Sequence, residues 1–105
     1  MKTKKERERE LKRYRSMQPF IPKRSGFGHD NEGTVAAQID VIENDLSEDE
    51  IEDRYYVDET AEEYCEGDND VWNEALYARQ WLDGDEDESP SQGWEPVVKK
   101  NGWKE

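Results

Sequence analysis

The sequence contains one cysteine, one histidine and four prolines, and only two basic residues, Arg54 and Arg79, between Asp30 and Glu88. With Cys65 alone, no disulfide can form within the chain, which suits a reducing compartment. No apolar run approaches the roughly 18 residues needed to span a bilayer. The N-terminus is basic, but no hydrophobic stretch follows it as in a secretory signal. A cytoplasmic protein without a membrane partner is therefore expected. Catalytic groupings are lacking too. His29 lies in a glycine-rich stretch with no Cys or Ser at a recognisable spacing. Cys65 sits among Glu62, Glu63 and Glu66, whose charge disfavours a thiolate. The run from Asp83 begins like a calcium-binding loop, but Glu88 stands where such a loop needs Gly and Trp94 where it needs Glu. We expect no enzyme, no catalytic residue, no metal site and no cofactor.

What is present is charge, and it is segregated. The 105 residues carry 28 Asp/Glu against 15 Lys/Arg, a net charge of −13. Residues 30–88 hold 23 of the carboxylates, while residues 1–24 hold ten Lys/Arg and three Glu. Such asymmetry is an interaction signal. Apolar content is 31%, low for a globular domain. The apolar residues nevertheless recur at helical spacing, which a purely disordered chain does not need.

Periodicity divides the chain into three parts. Residues 1–33 read as a basic N-terminal arm and linker. Leu11, Tyr14 and Met17 make only a narrow stripe, so a solvated helix is expected, stopped by Pro19 and Pro22. Residues 34–84 read as an acidic domain of about three helices. Val35, Ile39, Ile42 and Leu46 define one face, with Thr34 as N-cap and Asn44 or Asp45 as the end. Ser47 and Glu50 form a capping box for the next helix, with Ile51 and Tyr55 on one face. Residues 55–57 have a short strand as an alternative. Val57, Ala61 and Tyr64 resume helical spacing up to Gly67. Val71, Ala75, Ala78 and Leu82, widened by Trp72 and Leu76, give the strongest helix, ended by Gly84. Residues 85–105 read as an acidic loop and a mobile tail in which Gly93-Trp94 echoes Gly102-Trp103. The expected fold class is mainly α.

Function is then argued from charge. Glu48, Asp49, Glu52 and Asp53, followed by Asp58, Glu59, Glu62, Glu63 and Glu66, could form rows of carboxylates comparable in density to DNA phosphates. In composition this resembles the DNA-mimic proteins by which phages and mobile elements disarm restriction enzymes, CRISPR complexes or repressors. No motif matches a particular mimic family, so no residue roles carry over. The expectation is a non-enzymatic inhibitor that occupies the basic groove of a nucleic-acid-binding protein, with Tyr55, Tyr56, Trp94 and Trp103 as aromatic anchors. The alternative is a nucleic-acid-binding accessory factor whose basic arm, Lys4, Lys5, Arg7, Arg9, Lys12, Arg13 and Arg15, contacts phosphates. The acidic domain would then recruit a protein. A third reading is a structural or assembly protein. The arm could equally fold against the chain's own acidic domain, and its interspersed glutamates dilute it as a polycation.

Overall fold

Helix α1, Lys4–Met17, is built almost wholly from Lys, Glu and Arg, which favour helix, and starts in a reciprocal capping box between Thr3 and Glu6. A computed structural model describes residues 2–21, 32–58, 60, 62 and 69–104. Among them are four further α-helices: α2, Glu32–Asn44; α3, Glu48–Tyr55; α4, Asn69–Asp83; and α5, Glu95–Lys100. Single 3-10 turns, Gln18–Phe20 and Pro90–Trp94, follow α1 and precede α5. No strand occurs among the described residues, and the protein is mainly α as its periodicity predicts. Tyr55 is the last residue of α3, Tyr56 follows it in extended conformation, and residues 55–57 form no strand. Ala61, Tyr64 and Gly67, expected in a further helix, lie outside the described residues, as does the 22–31 linker.

Helices α2 and α4 pack on each other at the centre, with α1 against α2 and α3 against α4. The α4 stripe behaves as its spacing predicts: Ala75, Ala78 and Leu82 are fully buried, with Val71, Trp72 and Leu76 packed beside them. On α2, Val35, Val41 and Ile42 are buried and Ile39 is half-buried. One boundary differs from expectation. α2 begins at Glu32, so Thr34 is not its N-cap but a buried residue of its first turn. The carboxylate of Glu32 suits the positive end of the helix dipole there. The end falls where expected: Asp45 adopts a left-handed φ of 49°, a conformation Asp tolerates better than most residues, and it turns Leu46 into the core.

Both ends of the chain are folded more firmly than sequence reasoning predicts. α1 is not simply solvated. Tyr14 and Met17 are fully buried, Glu10 is buried and Leu11 packs against the core. The tail is docked, not mobile. After α5, Gly102 takes φ 103°, its N–H bonds the Lys99 carbonyl at 3.2 Å, and the Trp103 N–H bonds the Val98 carbonyl at 2.8 Å. This paired arrangement is a Schellman cap, which only a residue at ease with positive φ can complete. It turns Trp103 back onto α1, where the indole N–H donates to Ser16 Oγ at 3.3 Å. The burial of Trp94 and Trp103 supplies the large apolar area that the thin α1 stripe lacks.

A buried glutamine joins these pieces. Gln38 of α2 has no exposed surface. Its Oε1 accepts from Tyr14 Oη of α1 at 2.5 Å and from Trp94 Nε1 at 2.8 Å. Its Nε2 donates to the Glu74 carbonyl of α4 at 3.0 Å. Glu10 performs a parallel task, accepting from the Ser91 N–H at 3.2 Å and from the Ser91 hydroxyl.

Removing one acceptor that serves two buried donors leaves both unsatisfied, at about 1–3 kcal/mol for each. Gln38→Leu should therefore lower stability by roughly 2–5 kcal/mol, and adding Tyr14→Phe to it should cost much less than Tyr14→Phe alone. Denaturant unfolding of the four proteins in the cycle measures the coupling. Strict additivity would mean that the two side chains do not share a hydrogen bond.

Candidate functional site

Helix α3 is short, and three features hold it still. Ser47 and Glu50 form the predicted capping box, with both bonds at 3.2 Å. Ile51 is fully buried. The far end is tied to α2 through Asp40, whose Oδ2 accepts from Tyr55 Oη at 2.6 Å and Arg54 Nη1 at 2.8 Å, while Oδ1 accepts from Asn44 Nδ2 at 2.7 Å. Burial alone would raise the Asp40 pKa, but the bonds from Tyr55, Asn44 and Arg54 outweigh it and hold the carboxyl below its ordinary value. The converse applies to Tyr55. Burial, then the bond to Asp40 and its charge, push the phenol up to about 12.

On this fixed helix Glu48, Asp49, Glu52 and Asp53 are all exposed, and none forms an ion pair or hydrogen bond with another described side chain. The four sit at i, i+1, i+4 and i+5, so they form two short columns side by side. With a rise of about 1.5 Å per residue they span about 7.5 Å of axis. That is a mean interval of about 2.5 Å, between the about 1.7 Å of duplex DNA and the about 3.4 Å of one of its strands. Asp58 and Glu62 are exposed beyond the helix. Asp58 accepts from the Thr60 N–H at 2.9 Å and the Thr60 hydroxyl at 2.8 Å, and these bonds lower its pKa. Glu59, Glu63 and Glu66 lie outside the described residues, as do His29 and Cys65.

The aromatic anchors are redistributed. Trp94 and Trp103 are only 4% and 6% exposed, so they are core residues and not rim contacts. Tyr55 is half-buried with its hydroxyl committed to Asp40. Tyr56 alone of the four is well exposed, at 41%, its ring edge-on to Trp72 with centroids 5.0 Å apart. It lies one residue past the end of α3, beside the acidic columns.

The basic arm also divides. Lys4, Lys5, Arg9, Lys12 and Arg15 are exposed. Arg7 and Arg13 are turned inward: Arg7 Nη2 donates to the Ile42 carbonyl at 2.8 Å, and Arg13 pairs with Glu95 and lies 5.7 Å over the Trp103 ring. Arg15 and Glu43 approach to 3.6 Å at the surface, a contact worth little in water. The arm thus packs on the chain's own α2, the intramolecular arrangement that its charge allowed.

Sequence reasoning missed the polar residues that organise these faces. Gln38 interrupts an apolar stripe, three residues after Val35 and four before Ile42. That position on the buried face was the available signal. Glu10, four before Tyr14, carried the same signal. Arg79 is buried at 6% exposure, donating to Asp45 at 2.6 Å, the Leu46 carbonyl at 3.0 Å and Asp83 at 2.7 Å. It locks the α2–α3 corner to α4. Burial opposes its charge, but its bonds to Asp83 and Asp45 prevail and raise its pKa. Among the described residues no group of His, Cys, Asp and Glu is arranged to hold a metal ion. No described helix is long and apolar enough to cross a membrane.

The Asp40–Tyr55 bond predicts opposite responses at the two ends of the pH scale. A carboxyl lowered in the folded state adds stability above its ordinary value of 3.8, and that stability is lost as the pH falls through the folded value. A phenol raised in the folded state adds stability below 10.0, lost as the pH climbs towards about 12. Thermal melts across this range should show a smaller acid-side loss for Asp40→Asn than for the parent. Tyr55→Phe should show a smaller alkaline loss, with a remainder from Tyr14, whose burial also raises its pKa strongly. An acid limb unchanged in Asp40→Asn would remove Asp40 from the linkage.

No family model matches the chain, and no curated protein or solved structure matches it either.

Proposed function

We propose that the chain is a non-catalytic binding protein that presents the α3 carboxylates to a basic surface on a nucleic-acid-binding protein and competes there with nucleic acid. One observation carries this reading: Glu48, Asp49, Glu52 and Asp53 are exposed, without partners among the described side chains, and fixed on a helix secured at both ends. Like charges so placed repel one another, and an acidic surface kept merely for solubility needs no such rigidity. A rigid row meets a basic groove without first losing side-chain and backbone freedom to ordering. Tyr56 adds an apolar contact at the edge of the row, of a kind that a phosphate backbone does not offer. Occupancy of the groove makes the chain a stoichiometric inhibitor, as the compositional resemblance to DNA mimics suggests.

The test compares two charge-matched variants. One neutralises α3 (E48Q/D49N/E52Q/D53N), and the other neutralises the loop after α4 (D85N/E86Q/D87N/E88Q). Each is assayed against the partner captured by the parent chain, at two ionic strengths, with far-UV circular dichroism to confirm the helices. The α3 set should speed dissociation at least tenfold, and duplex DNA should compete with the parent for the partner. The loop set should alter mainly association rate and its salt dependence. Equal losses from both sets would reduce the interaction to net charge and end the positional reading.

A further inference from the structure

Of the three glutamates interspersed along α1, Glu10 is buried and Glu6 and Glu8, though exposed, lie to either side of its outermost sector. Glu6 is held in the capping box with Thr3. Glu10 is buried against Ser91. Glu8 lines a groove on the α2 side with Lys4, Arg7 and Glu43. At 100° per residue, Lys5, Arg9, Lys12 and Ser16 fall within a narrow sector opposite the buried Tyr14, and no carboxylate shares it. All four are exposed. The three cations rise about 6 Å and then about 4.5 Å along the helix, a spacing at which each can meet a separate phosphate.

The C-terminal segment completes this ridge. Its Schellman cap places Trp103 and Lys104 beside α1, so that Arg9, Lys12, Arg13, Ser16, Trp103 and Lys104 line one open groove. Arg13 is held there by Glu95 and by the Trp103 ring. Arg9, Lys12 and Lys104 make no ion pair among the described residues. The adjoining groove, lined by Arg9 and Arg13, carries the flanking acids Glu6, Glu10 and Asp87, and Glu6 feels the charge of Arg9.

We infer that the outer ridge of α1, with Lys104, is a nucleic-acid phosphate site, where Lys5, Arg9, Lys12 and Lys104 each neutralise one backbone phosphate. The ligand class follows from the donor set. A regular row of long cations on a polar, uninterrupted ridge suits an evenly charged backbone. The net charge of −13 opposes binding but does not forbid it. At 0.1 M salt the screening length is about 10 Å, and the α3 columns sit on the helix packed against α4, not on α1. This site uses none of the α3 residues, so it stands or falls apart from the inhibitor reading.

The experiment is fluorescence anisotropy of the full chain with a labelled 20-nucleotide single strand and with its duplex, between 50 and 200 mM salt. Engagement of about four phosphates gives a log–log salt slope near −0.9 per phosphate for the duplex, or about −0.7 for the single strand, and the two affinities say which form is preferred. R9Q/K12Q should reduce the slope by about two phosphates' worth. The α3-neutralised variant should bind more tightly with the slope unchanged. No binding at 50 mM salt, or a slope unaffected by R9Q/K12Q, would overturn the site. Equal binding of poly-glutamate would overturn the nucleic-acid assignment in favour of an acidic peptide.

Discussion

The arrangement depends on one buried amide. Apolar residues are scarce for holding the five described helices together by burial alone, and Gln38 links what hydrophobic contact leaves loosely defined. Its carbonyl receives α1 through Tyr14 and the C-terminal segment through Trp94, and its amino group reaches α4. Each of those groups would carry an unsatisfied donor or acceptor if the helices slid past one another. The node thereby fixes register as well as adding stability, as buried polar groups do when every member is paired. Arg79 repeats the principle at the α2–α3 corner and Asp40 at the end of α3.

This explains what could and could not be read from the sequence. Helix α4 was legible because its stripe of Val71, Ala75, Ala78 and Leu82 is governed by local periodicity. The start of α3 was legible because the Ser47–Glu50 box is a contact over three residues. The ends of the chain were not. Whether Trp94 faces solvent, a partner or the core is decided by Gln38, 56 positions away, and no local pattern carries that information. The position of Trp103 follows from Gly102 adopting φ 103°. The Gly-Trp echo hinted at such a turn but could not specify its direction.

The same separation applies to the candidate faces. The acidic residues of α3 were identifiable from composition. Their lack of internal partners was not, because it depends on where the chain's cations go. Arg54 and Arg79, the two basic residues of the central stretch, are both committed to carboxylates away from the α3 columns, at Asp40, Asp45 and Asp83. On α1 the logic is reversed. Arg7 and Arg13 turn inward, Glu6 and Glu10 are engaged locally or buried, and the remaining cations point outward. Folding thus sharpens a charge contrast that the linear sequence only outlines.

That sharpening has a physical cost, and the cost bears on function. Opposite charges left on separate surfaces forgo the attraction they would gain by meeting. α1 lies against α2, where an outward Glu8 and the exposed Arg15–Glu43 contact are the modest outcome. Stability alone would be served better by bringing the α1 ridge onto the α3 columns, since surface repulsion within each face would then be relieved. The scaffold instead holds the two faces on different helices, each anchored by its own buried polar contacts. A fold that fixes unrelieved charge in two ordered rows gives up stability there. On the proposed reading, that charge is relieved only when each row meets its opposite outside the molecule.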